Sequence, residues 1–351
     1  MPAERRAFLL LPGDPATVTG GYLYDRRIVA GLRAQGWTIE VMSPGDGFPL
    51  PDAATRNAAA AVVEALPDDA LVIADGLAFG VLPELAEAHA RRLRWVALVH
   101  HPLALETGLG AEEATMLQGS ERRALAVARQ VVVTSRSTAR ALADYDVPAA
   151  SITVIEPGTD PAALAEGSGS DALALLCVAT LTPRKGHALL LEALAGLADR
   201  RWTLHCVGNL ERDHATAASL HAASMRLGIA DRVVWHGEQR EVALDALYAK
   251  SDVFVLPSFH EGYGMAFAEA LARGLPIVGT DAGAIADTVP RDAGTLVPPG
   301  DVPALRDALR RVMDEPAHRA ALATGARAAR QHLSDWSVAA ARFAAVLESV
   351  K

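Results

Sequence analysis

Two carboxylates, Glu261 and Glu269, stand eight residues apart in FHEGYGMAFAEALARGLPIVGTDAG, a stretch that otherwise only packs. Glu261 falls directly before Gly262-Tyr263-Gly264, at the entrance of a helix that the pattern predicts from Gly264 to Arg273, with Gly274 as its stop. In that helix Met265, Ala268, Glu269 and Ala272 share a face at i, i+3, i+4, i+7, which sets Glu269 in line with small apolar residues. Gly262 and Gly264 expose backbone N–H groups beside Glu261, and free amides at a helix start attract phosphate. One hydroxyl-accepting carboxylate, a set of phosphate-binding amides and a second carboxylate about two turns along suit a sugar–diphosphate–nucleoside ligand. The plainer alternatives are a solvated helix glutamate at Glu269 and, at Glu261, a carboxylate that gains about 0.3–1 kcal/mol from the helix dipole.

Three other groups could join this chemistry. In ATLTPRKGHALLLEAL, Arg184 and Lys185 lie between Pro183 and Gly186 at the start of an apolar helix. Two cations there oppose the helix dipole unless an anion sits between them and the helix, so a phosphate or diphosphate is expected; two solvated surface cations are the alternative. VALVHHPLALE places His100 and His101 at the end of a strand, where a histidine is either structural, a hydrogen-bond donor to a ligand or a proton carrier. No second cluster with metal-ligand spacing accompanies them, and no metal is expected. Gly20-Gly21 follows the first strand in GDPATVTGG, which lacks both the dinucleotide fingerprint and the Walker lysine, so a plain turn competes with an anion site.

The elements that must hold these residues alternate from end to end. Strands are predicted at residues 7–11, 38–42, 70–74, 95–100, 131–134 and 152–155, then at 173–179, 203–207, 232–236, 253–257, 276–280 and 294–297, most with helical pattern between. They are continuous in Val, Leu and Ile, the mark of parallel sheets covered on both faces. Gly167-Ser168-Gly169-Ser170 is the best linker candidate, and Ser334–Val350 reads as a terminal helix capped by Ser334 or Asp335. At 351 residues the chain accommodates two α/β domains. A net charge of −9 argues against a nucleic-acid partner. Cys177 and Cys206, the two cysteines, lie in apolar runs and read as buried strand residues. The apolar run Ala7–Leu11 is too short for a signal peptide, and no stretch approaches the ~20 apolar residues of a membrane span, so a cytoplasmic protein is expected.

The constellation resembles the retaining glycosyltransferases of family 4. The resemblance rests on the E-x7-E motif from Glu261 to Glu269, PRKG at Pro183–Gly186, VGN at Val207–Asn209, VVWHG at Val233–Gly237, VIEPGTD at Val154–Asp160 and GTLVPPGD at Gly294–Asp301. It covers nearly the whole chain and is most specific in the second half. It implies the GT-B architecture of two Rossmann-like domains facing across a cleft: residues 1–162 on the acceptor side, 163–333 for the donor, and 334–351 as a helix returning to the first domain. It also implies that Glu261 contacts the donor hexose and Glu269 the ribose hydroxyls. Gly262, Tyr263, Gly264, Met265 and Ala266 would line the diphosphate and hexose. Arg184 and Lys185 would neutralise the leaving diphosphate. Gly21 would approach the diphosphate from the first domain, and His101, or else His100, would face the donor sugar. Gly208 and the loop His236-Gly237-Glu238 would serve the nucleotide, the loop reading its base. Where the family carries Gly-Arg, this chain has Ala179-Thr180, and Arg184 is the candidate substitute.

The implied reaction moves a hexosyl group from a UDP- or GDP-sugar to an acceptor with retention, and needs no metal or other cofactor. Asp144-Tyr145-Asp146 spells D-x-D by coincidence at a helix end. An epimerase-like enzyme and a non-catalytic nucleotide-sugar binder on the same fold are the rivals. A phosphorylase would need a pyridoxal-bearing lysine, and the only lysines are Lys185, Lys250 and Lys351. Loops at 12–20, 45–52 and 102–110 are expected to choose the acceptor, whether a small molecule, a glycan or a lipid-linked chain, the last at the membrane periphery.

Overall fold

A strand that is apolar on both sides of its pleat has to be covered on both faces, and two sheets of this kind organise the chain. The computed structural model describes residues 5–239 and 241–350. They divide into two compact units, Met1–Gly158 with Ser334–Lys351, and Thr159–Leu333.

In the first unit β1 (Arg6–Leu10), β2 (Thr38–Met42), β3 (Leu71–Asp75), β4 (Arg94–Val99), β5 (Gln130–Val133) and β6 (Ile152–Val154) form a sheet in the order β2-β1-β3-β4-β5-β6. All neighbours are parallel. Alternate residues feed two cores: Leu9, Ile73, Val96 and Val132 on one face, Leu10, Val72, Trp95 and Val131 on the other. The terminal helix Trp336–Ser349 covers the first of these faces with Phe343 and Leu347. Asp335 caps it, accepting from Val338 N at 2.9 Å, and Arg342 donates to the Val154 carbonyl at 2.7 Å.

The second unit repeats the layout. β7 (Leu173–Val178), β8 (Trp202–Val207), β9 (Val233–Trp235), β10 (Val253–Leu256), β11 (Ile277–Thr280) and β12 (Gly294–Val297) run parallel in the order β12-β11-β10-β7-β8-β9. Cys177 and Cys206 are register partners on β7 and β8, buried and free. Burial pushes both thiols up, Cys177 to about 12, which leaves them inert.

The strand order reverses between β1 and β3 in one unit and between β7 and β10 in the other. Helices leave such a pair on opposite faces, which opens a crevice at the carboxyl ends of the two strands. Gly20-Gly21 and Asp75 lie at the first crevice; Arg184-Lys185 and Glu261 lie at the second.

The Gly167–Ser170 segment is not a free linker. Ala249 O accepts from the Glu166 and Gly167 amides at 2.8 and 3.1 Å, and the Asp252 carboxylate accepts from the Ser168 and Ala174 amides at 3.1 and 2.8 Å. The units divide instead after Gly158. Gly/Ser composition signals flexibility only where nothing binds the backbone.

Close helix contact makes one test direct. A Cβ on Gly31, in the first helix Gly20–Ala34, would lie 2.4 Å from the Ala340 Cβ of the terminal helix. Gly31→Ala gains up to ~1 kcal/mol of helix propensity and loses about 1–3 kcal/mol to overpacking. A net fall in urea midpoint is expected, reversed in Gly31→Ala/Ala340→Gly.

Candidate active site

The second crevice is built from two turns zipped together. After β7, Pro183–Lys185 makes one 3-10 turn and Gly186 turns the chain into the helix His187–Ala195. Gly186 has φ of +71°, and a Cβ there would lie 2.0 Å from the Pro257 carbonyl oxygen, so only glycine lets the turn seat against the end of β10. Phe259 N donates to Arg184 O at 2.8 Å, and Arg184 Nη1 returns a bond to His260 O at 2.7 Å.

This zipper brings Glu261 onto Lys185. The ammonium donates to both carboxylate oxygens, at 2.6 and 2.9 Å, and Ser258 Oγ adds a bond of 2.6 Å to Oε1. Arg184 Nη1 lies 3.7 Å from Oε2. Side-chain exposure is 8% for Glu261 and 17% for Lys185, so the pair is largely withdrawn from water. Burial alone would raise the Glu261 carboxyl, but Lys185, then Arg184, bring it below its ordinary value. Burial also pulls the Lys185 ammonium down, against the pull of Glu261 and with the push of Arg184. The chain itself thus supplies an anion beside the two cations, the Glu261 carboxylate, and neither cation is a solvated surface charge.

Glu261 is fixed through its backbone as well. Its carbonyl accepts from Ala284 N at 2.9 Å, and a Cβ on Gly283, at φ +60°, would lie 2.3 Å from that oxygen. Beyond it, Gly262 and Tyr263 lead to Gly264, which opens the helix Met265–Ala272 without a capping side chain. Tyr263 O accepts from Thr288 Oγ1 at 2.7 Å. The amides of Met265 and Ala266 thus begin a helix whose first turn carries no acidic group.

Glu269 is not a solvated helix glutamate. Tyr248, fully buried on the helix Glu241–Ala249, donates its hydroxyl to Glu269 Oε2 at 2.9 Å. Arg273 lies over the Tyr248 ring at 4.3 Å and donates to Glu269 O at 3.0 Å. Burial raises the Glu269 carboxyl, with Tyr248 and Arg273 opposing. At the ends of β8 and β9, Gly208 N donates to Gly237 O at 2.9 Å, and Asn209 Nδ2 to Glu238 Oε2 at 3.2 Å. His236 Nε2 lies 2.9 Å from His205 Nδ1; burial lowers both rings, so one N–H donates to a neutral neighbour.

The first unit gathers a separate group. Thr19 caps the helix that contains Gly20 and Gly21, and a Cβ on Gly21 would meet the His100 ring at 3.5 Å, ordinary contact. His100 Nε2 lies 3.2 Å from Asp25 Oδ1 and 3.4 Å from Asp75 Oδ2. His101 is elsewhere, its Nε2 3.3 Å from Glu106 Oε2. Sequence reasoning missed Asp25, Asp75, Ser258 and Tyr248. Asp75 left a signal, an acid closing the apolar strand LVIAD; Ser258 also lay in view in the strand-end loop, and Asp25 and Tyr248 left none.

Residues 162–329 match the family model of glycosyl transferases group 1, and residues 24–163 match that of glycosyltransferase family 4. The chain is similar to the sucrose-phosphate synthase of Thermosynechococcus elongatus, with a TM-score of 0.82 at 22% identity over 98% of both chains. It is also similar to the Anabaena protein HepE in complex with UDP and glucose, at TM-score 0.75 and 20% identity over 99% of this chain and 100% of that one. The fold is GT-B. The family 4 match falls almost wholly in the first unit and the group 1 match in the second, so each unit is similar to a glycosyltransferase domain. Among curated relatives, an MMP alpha-(1->4)-mannosyltransferase of Mycolicibacterium hassiacum is 30% identical over 72% of this chain and 64% of its own. A D-inositol 3-phosphate glycosyltransferase of Thermobispora bispora is 32% identical over 72% of this chain and 65% of its own. The chain spans just under two thirds of the length of these relatives. Among the described residues no helix is long and apolar enough to cross a membrane.

Removing Lys185 leaves a buried carboxylate without its partner. Lys185→Ala should cost about 3–5 kcal/mol in urea unfolding at neutral pH. Because Glu261 is held below its ordinary value, its contribution is present above that value and lost as pH falls through the folded one. The gap between parent and Lys185→Ala should therefore narrow in acid.

Proposed function

We propose that this protein transfers a hexosyl group from a UDP- or GDP-sugar to an acceptor, with retention of configuration and without a metal. The observation that carries the reading is the Lys185–Glu261 pair at the carboxyl end of β10, beside open helix amides and a second anchored carboxylate. The names of the curated relatives and the UDP and glucose bound by HepE support it.

In this reading Glu269, oriented by Tyr248, accepts the ribose hydroxyls, and the loop His236–Glu238 with Gly208 receives the base. The amides of Gly264, Met265 and Ala266, with Gly262 and Tyr263, line the diphosphate and hexose. Glu261 accepts a hexose hydroxyl. Arg184 and Lys185 stabilise the charge that grows on the departing diphosphate, which preorganised donors do at little reorganisation cost. The bond between the anomeric carbon and the diphosphate oxygen breaks, and the acceptor oxygen bonds to the same face of that carbon. The acceptor proton passes to the leaving phosphate oxygen.

Incubation with labelled UDP- and GDP-hexoses and mixed acceptors should yield a labelled α-linked product. Recovery of intact donor alone, with binding but no transfer or hydrolysis, would sink the reading. Arg184→Ala should lower turnover about tens-fold or more, the loss from one charge-stabilising donor. Tyr248→Phe should weaken nucleoside diphosphate binding measured by calorimetry, as should Glu269→Ala more strongly. Unchanged affinity in both variants would remove the ribose assignment.

A further inference from the structure

The Glu261 carboxylate has few accepting positions left. Its Oε1 accepts from Lys185 Nζ and from Ser258 Oγ, both at 2.6 Å, and its Oε2 accepts from Lys185 Nζ at 2.9 Å. Arg184 Nη1, at 3.7 Å from Oε2, lies beyond hydrogen-bond range. An ionised carboxylate only accepts, with about two lone-pair sites on each oxygen. Burial would raise the Glu261 carboxyl, but Lys185, then Arg184 and the bonds from Lys185 and Ser258, hold it below its ordinary value, so it stands ionised. Among the described residues Oε1 is then full, and Oε2 keeps one site.

The hydroxyl that fills Oε1 is itself delivered in a fixed direction. Ser258 is fully buried in the loop after β10, and three successive residues of that loop are tied down. The Pro257 carbonyl abuts Gly186, where a Cβ would lie 2.0 Å from its oxygen. Thr280 Oγ1, buried at the end of β11, donates to Ser258 O. Phe259 N donates to Arg184 O at 2.8 Å. Thr280 reaches this loop because its neighbour Gly279 is the register partner of Leu256.

We propose that Ser258, set by Thr280, is a positioning residue that closes Glu261 Oε1 to substrate, so that the carboxylate accepts a single hydroxyl of the donor hexose, through Oε2. The role rests on the transferase reading above and deepens it. Ser258 acts through Glu261 and not by contact with the sugar. A carboxylate with a site open on each oxygen could take two vicinal hydroxyls, or either of them in turn. With Oε1 closed it selects a donor that brings one particular hydroxyl to Oε2, and it refuses the analogue deoxygenated at that carbon.

The test is calorimetric affinity of the full chain for UDP-glucose, GDP-mannose, their analogues deoxygenated at each carbon in turn, and UDP or GDP alone. In the parent, loss of one hydroxyl should weaken binding about tenfold to a hundredfold, the range for a hydrogen bond to a charged group. In Ser258→Ala, where Oε1 is open and the carboxylate can swivel, that penalty should shrink about tenfold or more. Thr280→Val, which keeps the shape and removes the bond to Ser258 O, should move the penalty in the same direction by less, and carries the test if Ser258→Ala does not fold. Thr280→Ser, which keeps the hydroxyl, should restore the parental penalty. UDP or GDP alone should bind all variants as they bind the parent, a result that a merely structural role would not give.

A penalty unchanged in both Ser258→Ala and Thr280→Val overturns the proposal. So does a parent indifferent to every deoxygenation, or a variant that loses UDP or GDP affinity as much as donor affinity. Because binding is read without turnover, the two readings fail separately. Transfer with an unchanged penalty sinks the Ser258 role alone, and the predicted penalties with no transfer from any donor sink the transferase reading alone.

Discussion

The ion pair between Lys185 and Glu261 is the constraint on which the C-terminal site depends. Seventy-six residues separate the partners, and each lies on a turn that leaves the end of a different strand at the point where strand order reverses. A carboxylate so far withdrawn from water is tolerable only with its partner in place. The pair therefore fixes the spacing of the two turns, and with it the position of the open amides of the helix Met265–Ala272. Ser258, the Gly186 turn and the backbone bonds between Arg184 and Phe259–His260 lock the same geometry.

Each unit solves the same problem in a different way. A parallel sheet gathers charged side chains at the carboxyl ends of its switch-point strands, where desolvation is severe and must be met by pairing. In the C-terminal unit the answer is cation against carboxylate; in the N-terminal unit it is an imidazole between two carboxylates. In both, the groups are held by backbone bonds and buried neighbours rather than by mobile surface contacts.

Much of the fold was legible because buried parallel strands are continuous in Val, Leu and Ile, and all twelve predicted strands fall within two residues of those observed. The E-x7-E spacing and the PRKG turn also stood out locally, since their residue types are unusual for a packing helix and a helix start. What could not be read was partnership. Asp25, Asp75 and His100 are distant in sequence and meet only through sheet order. Tyr248 has nothing in its sequence context to set it apart from a core aromatic, and only the fold brings its hydroxyl onto Glu269. Gly167–Ser170 failed for the converse reason: its composition suggested a tether, while Asp252 and Ala249, some eighty residues on, bind its backbone.

A double-mutant cycle on Lys185→Met and Glu261→Gln, read by urea unfolding and by nucleoside diphosphate affinity, tests the ion pair as organiser most directly. Each single change should destabilise strongly, while the double variant should recover part of the loss, with a coupling of about 1–3 kcal/mol. Its nucleoside diphosphate affinity should stay low, since the Lys185 charge at the turn is gone. Strictly additive stabilities, or parental affinity in the double variant, would contradict the account.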